Sequence, residues 1–241
     1  MGASGVKDDR RLRLWQQVVA HAADGPVTLA HVSAAMISSA RVDSVGVTAV
    51  MKGTQRETVH ASSQLAMDLE ELTVTLGEGP GVDCYLDGPS LSSDLTAEAC
   101  QVRWPVYAPA AVTAGVAALF ALPLRVGGVS VGVVSLYRTE PGPLGRDQLA
   151  DVLVLTDTAL ALLLDQGLSD PSQQHDGWRE SSGLQHSEVH QATGMLTVQL
   201  GVSAAEALVR LRAYAFAHDR RLSDVGKDVV ARRLRFNGSE A

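Results

Sequence analysis

Apolar positions in the first forty residues recur at helical spacing. Leu12, Trp15, Val18 and Val19 predict a helix over Asp8–Ala23. Leu29, Val32, Ala35 and Met36 predict a second from Pro26 to Ser39. The period then changes. Val45–Val50 and Glu57–Ser62 read as two short strands around a Lys52-Gly53 turn. The block from Leu76 to Leu95, LGEGPGVDCYLDGPSLSSDL, is rich in Gly, Pro, Asp and Ser, which is loop chemistry with room for one short helix. After a small apolar stretch at Val112–Ala118, Leu119–Arg125 and Ser130–Tyr137 form a hairpin through Gly127-Gly128. From Arg146 to Gln166 a strongly apolar helix aligns Leu149, Val152, Leu153, Thr156, Leu160 and Leu163 on one stripe.

Helices flanking a strand-rich middle predict an α+β, sensor-like domain over residues 8–166, an antiparallel sheet with flanking helices. Its terminal helices can cover their own sheet or pack against a second copy. Residues 167–182, GLSDPSQQHDGWRESS, have linker composition, with Trp178 as the exception. Three helices follow over 183–237. The first, Leu184–Leu200, buries Val189, Ala192, Met195, Leu196 and Leu200 and stops at Gly201, where a left-handed cap is wanted. Ser203 with Glu206 reads as a capping box for the second, whose core line is Leu208, Leu211 and Ala215. Ser223 can cap a third helix carrying Val225, Val229, Val230 and Leu234. Local signals agree from one helix to the next, so this tail is a compact three-helix bundle.

Steps of 100° around the first of these helices set His190, Gly194 and Thr197 opposite the buried stripe, with Gln191 and Thr193 on the flanks. A mid-helix glycine costs about 0.5–1 kcal/mol relative to Ala. Gly194 therefore reads as a tolerated defect, a tight crossing inside the bundle, or a place where a partner's backbone comes close. The second helix carries Arg210 with Tyr214 on one flank and Arg212 with Phe216 on the other, each pair at i,i+4. The flanks lie about 160° apart, so one pair can meet nucleic acid through phosphate and base stacking while the other faces protein. Arg220, Arg221, Lys227, Arg232, Arg233 and Arg235 extend the basic surface, and each is equally readable as a solvated residue.

Composition adds limits. The chain has 241 residues, 46% of them hydrophobic and only 4% aromatic, so its cores rest on Ala, Val and Leu. Net charge is −7, which excludes a protein that coats nucleic acid by bulk attraction. Within Gly183–Ala241, however, eight Lys+Arg stand against six Asp+Glu, giving +2 on the tail and −9 on the body. Cys84 and Cys100 give neither a disulfide framework nor metal spacing and read as reduced, structural thiols. The N-terminus lacks an apolar signal core, and no apolar run reaches the roughly 18 residues a membrane helix needs, so a cytoplasmic protein without a membrane partner is expected.

Residues 190–236 also carry a family resemblance. Ala192-x-Gly194, Ala207 with Leu211-Arg212 and Ala215, and Leu222-x-Asp224-Val225 make the segment similar to the ANTAR domain of bacterial transcription antitermination regulators. Many members place Lys between that alanine and glycine. This chain has Thr193, with His190 and Gln191 beside it as alternative contacts. Upstream, Leu76-Gly-Glu-Gly-Pro80, Ser93-Asp94-Leu95, Trp104-Pro105 and the Gly128–Tyr137 strand resemble a GAF domain. The resemblance implies binding of paired RNA hairpins with six-nucleotide loops in nascent transcripts, usually by a homodimer, so that a terminator cannot form. It also implies a GAF domain that dimerises or takes a small ligand; no cofactor is expected. The RNA-contacting set is then His190, Gln191, Thr193, Gly194, Thr197, Arg210, Arg212, Tyr214, Arg220 and Arg221.

Two rivals stand beside this reading. Three helices with a basic tail can also read a DNA major groove. A GAF-based redox enzyme needs clustered cysteines, whereas Cys84 and Cys100 form no close pair in sequence. No Gly-x-Ser-x-Gly, His-Glu-x-x-His or phosphate-binding lysine loop occurs, so a non-enzymatic regulator is expected.

Overall fold

The computed structural model describes residues 3–23, 25–51, 55–168, 187–218 and 220–236. Two helices, α1 (Ala3–Ala22) and α2 (Leu29–Ala40), lead into β1 (Ser44–Met51) and β2 (Gln55–Ala61). Next come α3 (Gln64–Leu76), α4 (Pro80–Asp87), β3 (Ser90–Ser92), α5 (Glu98–Arg103) and α6 (Tyr107–Thr113). The hairpin β4 (Ala118–Val126) and β5 (Val129–Arg138) precedes the long α7 (Arg146–Leu168). Three further helices close the chain: α8 (Ser187–Leu200), α9 (Ala204–Ala217) and α10 (Leu222–Val230). Trp178 and most of the linker composition lie outside the described residues.

The five strands form one sheet, antiparallel throughout, in the order β2-β1-β5-β4-β3. The class is α+β, as the pattern implied. Successive residues of a strand point to opposite faces. Phe120, Leu122, Leu124, Val134 and Leu136 enter a core with Leu14, Val18, Met36, Val152 and Leu155 from α1, α2 and α7. Their neighbours Leu119, Ala121, Val133 and Tyr137 enter a second core with Ala66, Leu69, Trp104 and Tyr107 from α3 and α6 and the segment joining α5 to α6. Burial on both faces is why β4 and β5 show nearly continuous apolar runs.

Helices α1 and α7 are tied at one end by charge. Arg13 donates to both carboxylate oxygens of Asp151 at 2.8 and 2.9 Å, and Arg10 reaches Asp147 at 2.7 Å. Their outer sides keep large apolar residues in water: Leu12, Trp15 and Val19 at i, i+3 and i+7 on α1, with Leu153 and Leu164 on α7.

The sequence pattern left α3, α5 and α6 unassigned. Helix α3 hides from periodicity because both of its faces are buried and both carry polar groups. Glu70, Glu71, Thr73 and Thr75 are all buried. Glu70 faces the sheet, accepting from Thr48 Oγ1 at 2.7 Å and from Tyr137 Oη at 2.8 Å. Burial and the nearby Glu70 carboxylate raise the Tyr137 phenol well above its ordinary range, so it stays a neutral donor. Between Thr48, Arg56, Glu70, Thr73, Tyr85 and Val133 the interior space amounts to about 10 Å³, room for one water at most. Cys84 is buried, and desolvation pushes its thiol up to about 12, which withholds the thiolate a redox cycle requires.

Replacing Tyr137 with Phe removes one of the two donors to a buried carboxylate while keeping the ring. Such a deletion costs about 1–3 kcal/mol. The urea midpoint should fall accordingly with an unchanged m-value, and an unaltered midpoint would show that Glu70 does not depend on this bond.

Candidate nucleic-acid interface on the C-terminal bundle

The bundle closes around Val189, Ala192, Leu196, Ala207, Leu211, Ala215, Leu222, Val225 and Val229. Gly201 takes φ +66° and ends α8 in the left-handed cap expected of it. Ser203 Oγ accepts from the Glu206 amide at 3.2 Å, but the Glu206 carboxylate takes Arg210 at 2.8 Å, so the expected reciprocal box is half made. Arg221, rather than Ser223, occupies the N-cap of α10. Ser223 is buried one position inside that helix, where it donates to Glu71 of α3.

Two glycines play opposite parts. A Cβ on Gly226 would stand 3.0 Å from the Val189 amide nitrogen and 3.1 Å from the Glu188 carbonyl carbon, so the close helix crossing lies there, between α8 and α10. At Gly194 a Cβ would meet nothing within 4 Å. The tight-crossing explanation of Gly194 is thereby removed, and the residue lies open on the surface.

It lines a groove. Gln191, Gly194, Met195, Val198 and Gln199 of α8 form one wall, and Val229, Arg232, Leu234 and Arg235 the other, around a volume of about 690 Å³. Gln199 holds the walls together by donating to the Phe236 carbonyl at 2.8 Å. Val198 is 85% exposed at the rim. Arg232 sits at φ +58°, in the left-handed region that non-glycine residues rarely adopt, where about 1 kcal/mol or more of backbone strain is held.

The sequence-derived residues divide sharply. Gln191 and Gly194 line the groove. Thr197 is half-buried and donates to the Thr193 carbonyl at 2.9 Å. His190 belongs to α8, but its side chain lies outside the described residues. Thr193 was placed on a flank. It is instead buried, with its hydroxyl donated to the Val189 carbonyl at 2.7 Å, because the bundle's inner face is wider than the narrow stripe assumed.

The two arginine–aromatic pairs of α9 do not act as pairs. Arg210 is engaged by Glu206, while Tyr214 stacks on His218 at a centroid distance of 3.9 Å. Arg212 turns towards the N-terminal domain, where its Nη1 would lie 2.7 Å from a Cβ built on Gly77. Its buried Nε has no hydrogen-bond partner, and desolvation, then the proximity of Arg56, lowers its pKa. Phe216, across from it at i+4, stays 59% exposed.

Arg220 and Arg233 both donate to Asp228, at 2.6 and 2.8 Å, and hold its carboxyl below the usual carboxylate range. Arg221 donates to Asp68 of α3 at 2.8 Å and lies 3.6 Å from Glu71. Arg232 and Arg235 have no carboxylate within 4 Å among the described residues. These two were read from sequence only as part of a general basic surface. A helical wheel shows where charge is placed, not which charges are neutralised by a neighbouring domain.

Residues 184–230 match the ANTAR domain family. No curated protein matches the chain. Among solved structures, the chain is similar to the GAF domain of a phosphoenolpyruvate-protein phosphotransferase from Coxiella burnetii, at 12% identity and a TM-score of 0.49, covering 66% of this chain and 95% of that one. The corresponding GAF domain from Acinetobacter is similar at 10% identity and a TM-score of 0.47, covering 67% and 95%. The C-terminal bundle thus carries the ANTAR match, over residues 184–230.

The glycines generate opposite expectations. Gly194→Ala should stabilise the folded protein by about 0.5–1 kcal/mol through helix propensity alone. Gly226→Ala gains the same propensity but forces two helix backbones apart, and overpacking of this kind costs about 1–3 kcal/mol. Thermal unfolding of the two variants should move the midpoint in opposite directions.

Proposed function

We propose that this ANTAR-bearing chain is an RNA-binding transcription antitermination regulator that binds hairpin loops in nascent transcripts as a homodimer. Residues 183–237 form the RNA-binding module, residues 167–182 the linker and residues 8–166 a sensor or dimerisation domain. The observation that carries the reading is the groove beside Gly194. Its lining sets apolar Met195, Val198, Val229 and Leu234 beside two arginines, Arg232 and Arg235, with no carboxylate within 4 Å among the described residues. An unpaired base needs an apolar or planar surface to stack on and a cation for its phosphate. An α-helical glycine with open space above it lets the ligand backbone come close. Regulators of this kind work by binding, and no catalytic residue is assigned.

The dimer is supported by the exposed stripe on α1 and α7. Leu12, Trp15 and Val19 share one helix face, and Leu153 and Leu164 lie outward on the helix to which α1 is bound. A second copy related by two-fold symmetry buries such a face against itself.

In a gel shift, the full-length protein should bind tandem hairpins with six-nucleotide loops more tightly than loop-mutated hairpins or duplex DNA. Equal affinity for intact and mutated loops would overturn loop recognition, and a preference for duplex DNA would favour the major-groove alternative. Arg232→Gly relieves the left-handed strain while deleting one cation. It should therefore stabilise the fold yet weaken RNA binding and flatten the dependence of log K on log salt by about one charge. Trp15→Glu, at an exposed position, should halve the mass measured by light scattering; an unchanged dimer mass would place the interface elsewhere.

A further inference from the structure

The C-terminal bundle is not free of the N-terminal domain: it rests on α3. Asp68 and Glu71 stand at i and i+3 on the side of that helix turned away from the sheet. Asp68 takes Arg221, Glu71 takes Ser223 and approaches Arg221, and Val74, three residues further on, packs against the bundle core. Gly77, which ends α3, lies under the guanidinium of Arg212. Arg212 and Arg221 both belong to the set read from the sequence as RNA-contacting.

We propose that the acidic outer face of α3 is a docking surface for the ANTAR module that competes with RNA, so that the structure is the sequestered state of the regulator. The inference rests on the RNA-binding reading above. A polyanion and the pair Asp68–Glu71 offer Arg221 the same chemistry, oxygen anions, and the N–H that Arg221 gives Asp68 at 2.8 Å is not free for a phosphate. Arg212 is unavailable for a different reason: it is packed against Gly77, its buried Nε without a partner among the described residues. Undocking restores its hydration.

The groove at Gly194 is formed by α8 and the segment after α10, which leaves it open in the docked state. Docking therefore removes two cations from the RNA surface without closing it. RNA therefore binds the docked state less tightly than the undocked one, and the observed affinity falls as the docked fraction rises.

The contact is built to separate. It is dominated by charged and hydroxyl groups, with Val74 as the apolar residue of the N-terminal domain recorded against the bundle core, and interfaces between domains of this polar kind are reversible by default. Glu71 is buried and takes its hydrogen bond from Ser223 of the bundle, so separation removes that donor from its carboxylate. Val74 also lines the small interior space beside Arg56, Glu70 and Tyr85. One side chain thus touches both the sensor interior and the RNA-binding bundle, and a change of packing in that interior reaches the docked face directly.

Asp68 is partly exposed and outside every core cluster, so Asp68→Arg tests the contact without endangering the fold. It sets like charges against each other where Arg221 now finds a partner. In full-length protein, amide hydrogen exchange of residues 64–76 should rise in Asp68→Arg and return towards wild type in the charge-swapped Asp68→Arg, Arg221→Asp protein. That readout needs no RNA, and unchanged exchange in Asp68→Arg would overturn the docking itself.

With the tandem-hairpin RNA as probe, Asp68→Arg should bind roughly 3–10-fold tighter than wild type, with a salt dependence steeper by about one to two charges as Arg212 and Arg221 become available. Wild-type affinity and slope in Asp68→Arg, alongside raised exchange, would overturn the competition while leaving RNA binding intact. Failure of both proteins to bind the hairpins would overturn the RNA reading and the competition together.

Discussion

The architecture turns on two adjacent buried carboxylates, Glu70 and Glu71 of α3. Neighbouring residues of a helix point about 100° apart, so one of them enters the N-terminal domain and the other meets the C-terminal bundle. A buried carboxylate without partners costs several kcal/mol, so each needs donors supplied by whatever covers it. Glu70 finds Thr48 and Tyr137, which pins α3 to β1 and β5. Glu71 finds Ser223 and Arg221, which brings α10 onto the same helix. Helix α3 is therefore both an internal layer of one domain and a platform for the other.

The same requirement explains the distribution of arginines in the bundle. Arg210, Arg220 and Arg233 are neutralised within the module, by Glu206 and Asp228. Arg221 is neutralised across domains, and the buried Nε of Arg212 has no partner among the described residues. Arg232 and Arg235 are left flanking the groove. A net charge of +2 spread over the tail says nothing of this sorting. The cations left over are the small remainder that intramolecular pairing leaves exposed, beside the groove's apolar lining.

The glycines follow from packing in the same way. Gly226 permits α8 and α10 to cross at backbone contact, just ahead of the chain that follows α10. That chain, held by Gln199 and carrying the strained Arg232, becomes the second wall of the groove. Gly194 then lies in the wall opposite, with open space where a side chain would stand. One glycine serves the helix crossing, and the other meets no neighbour within 4 Å among the described residues.

Much was legible in the residues alone. Apolar spacing determined α1, α2, α7 and the three C-terminal helices, Gly201 marked the end of α8, and Gly127-Gly128 marked the β4–β5 hairpin, because each of these depends on a few neighbouring residues. The Ala192-x-Gly194 and Leu222–Val225 features identified the ANTAR segment for the same reason. Helix α3 escaped because polar groups buried on both of its faces erase the amphipathic period. Ser223 looked like a helix cap because Glu71, its actual partner, is 152 residues away in the chain. Thr193 looked like surface until the bundle closed over it. Local pattern determines which segments become helix or strand; which charges, hydroxyls and glycines remain available to a partner is decided by contacts between segments far apart in sequence, and only the tertiary structure brings those together.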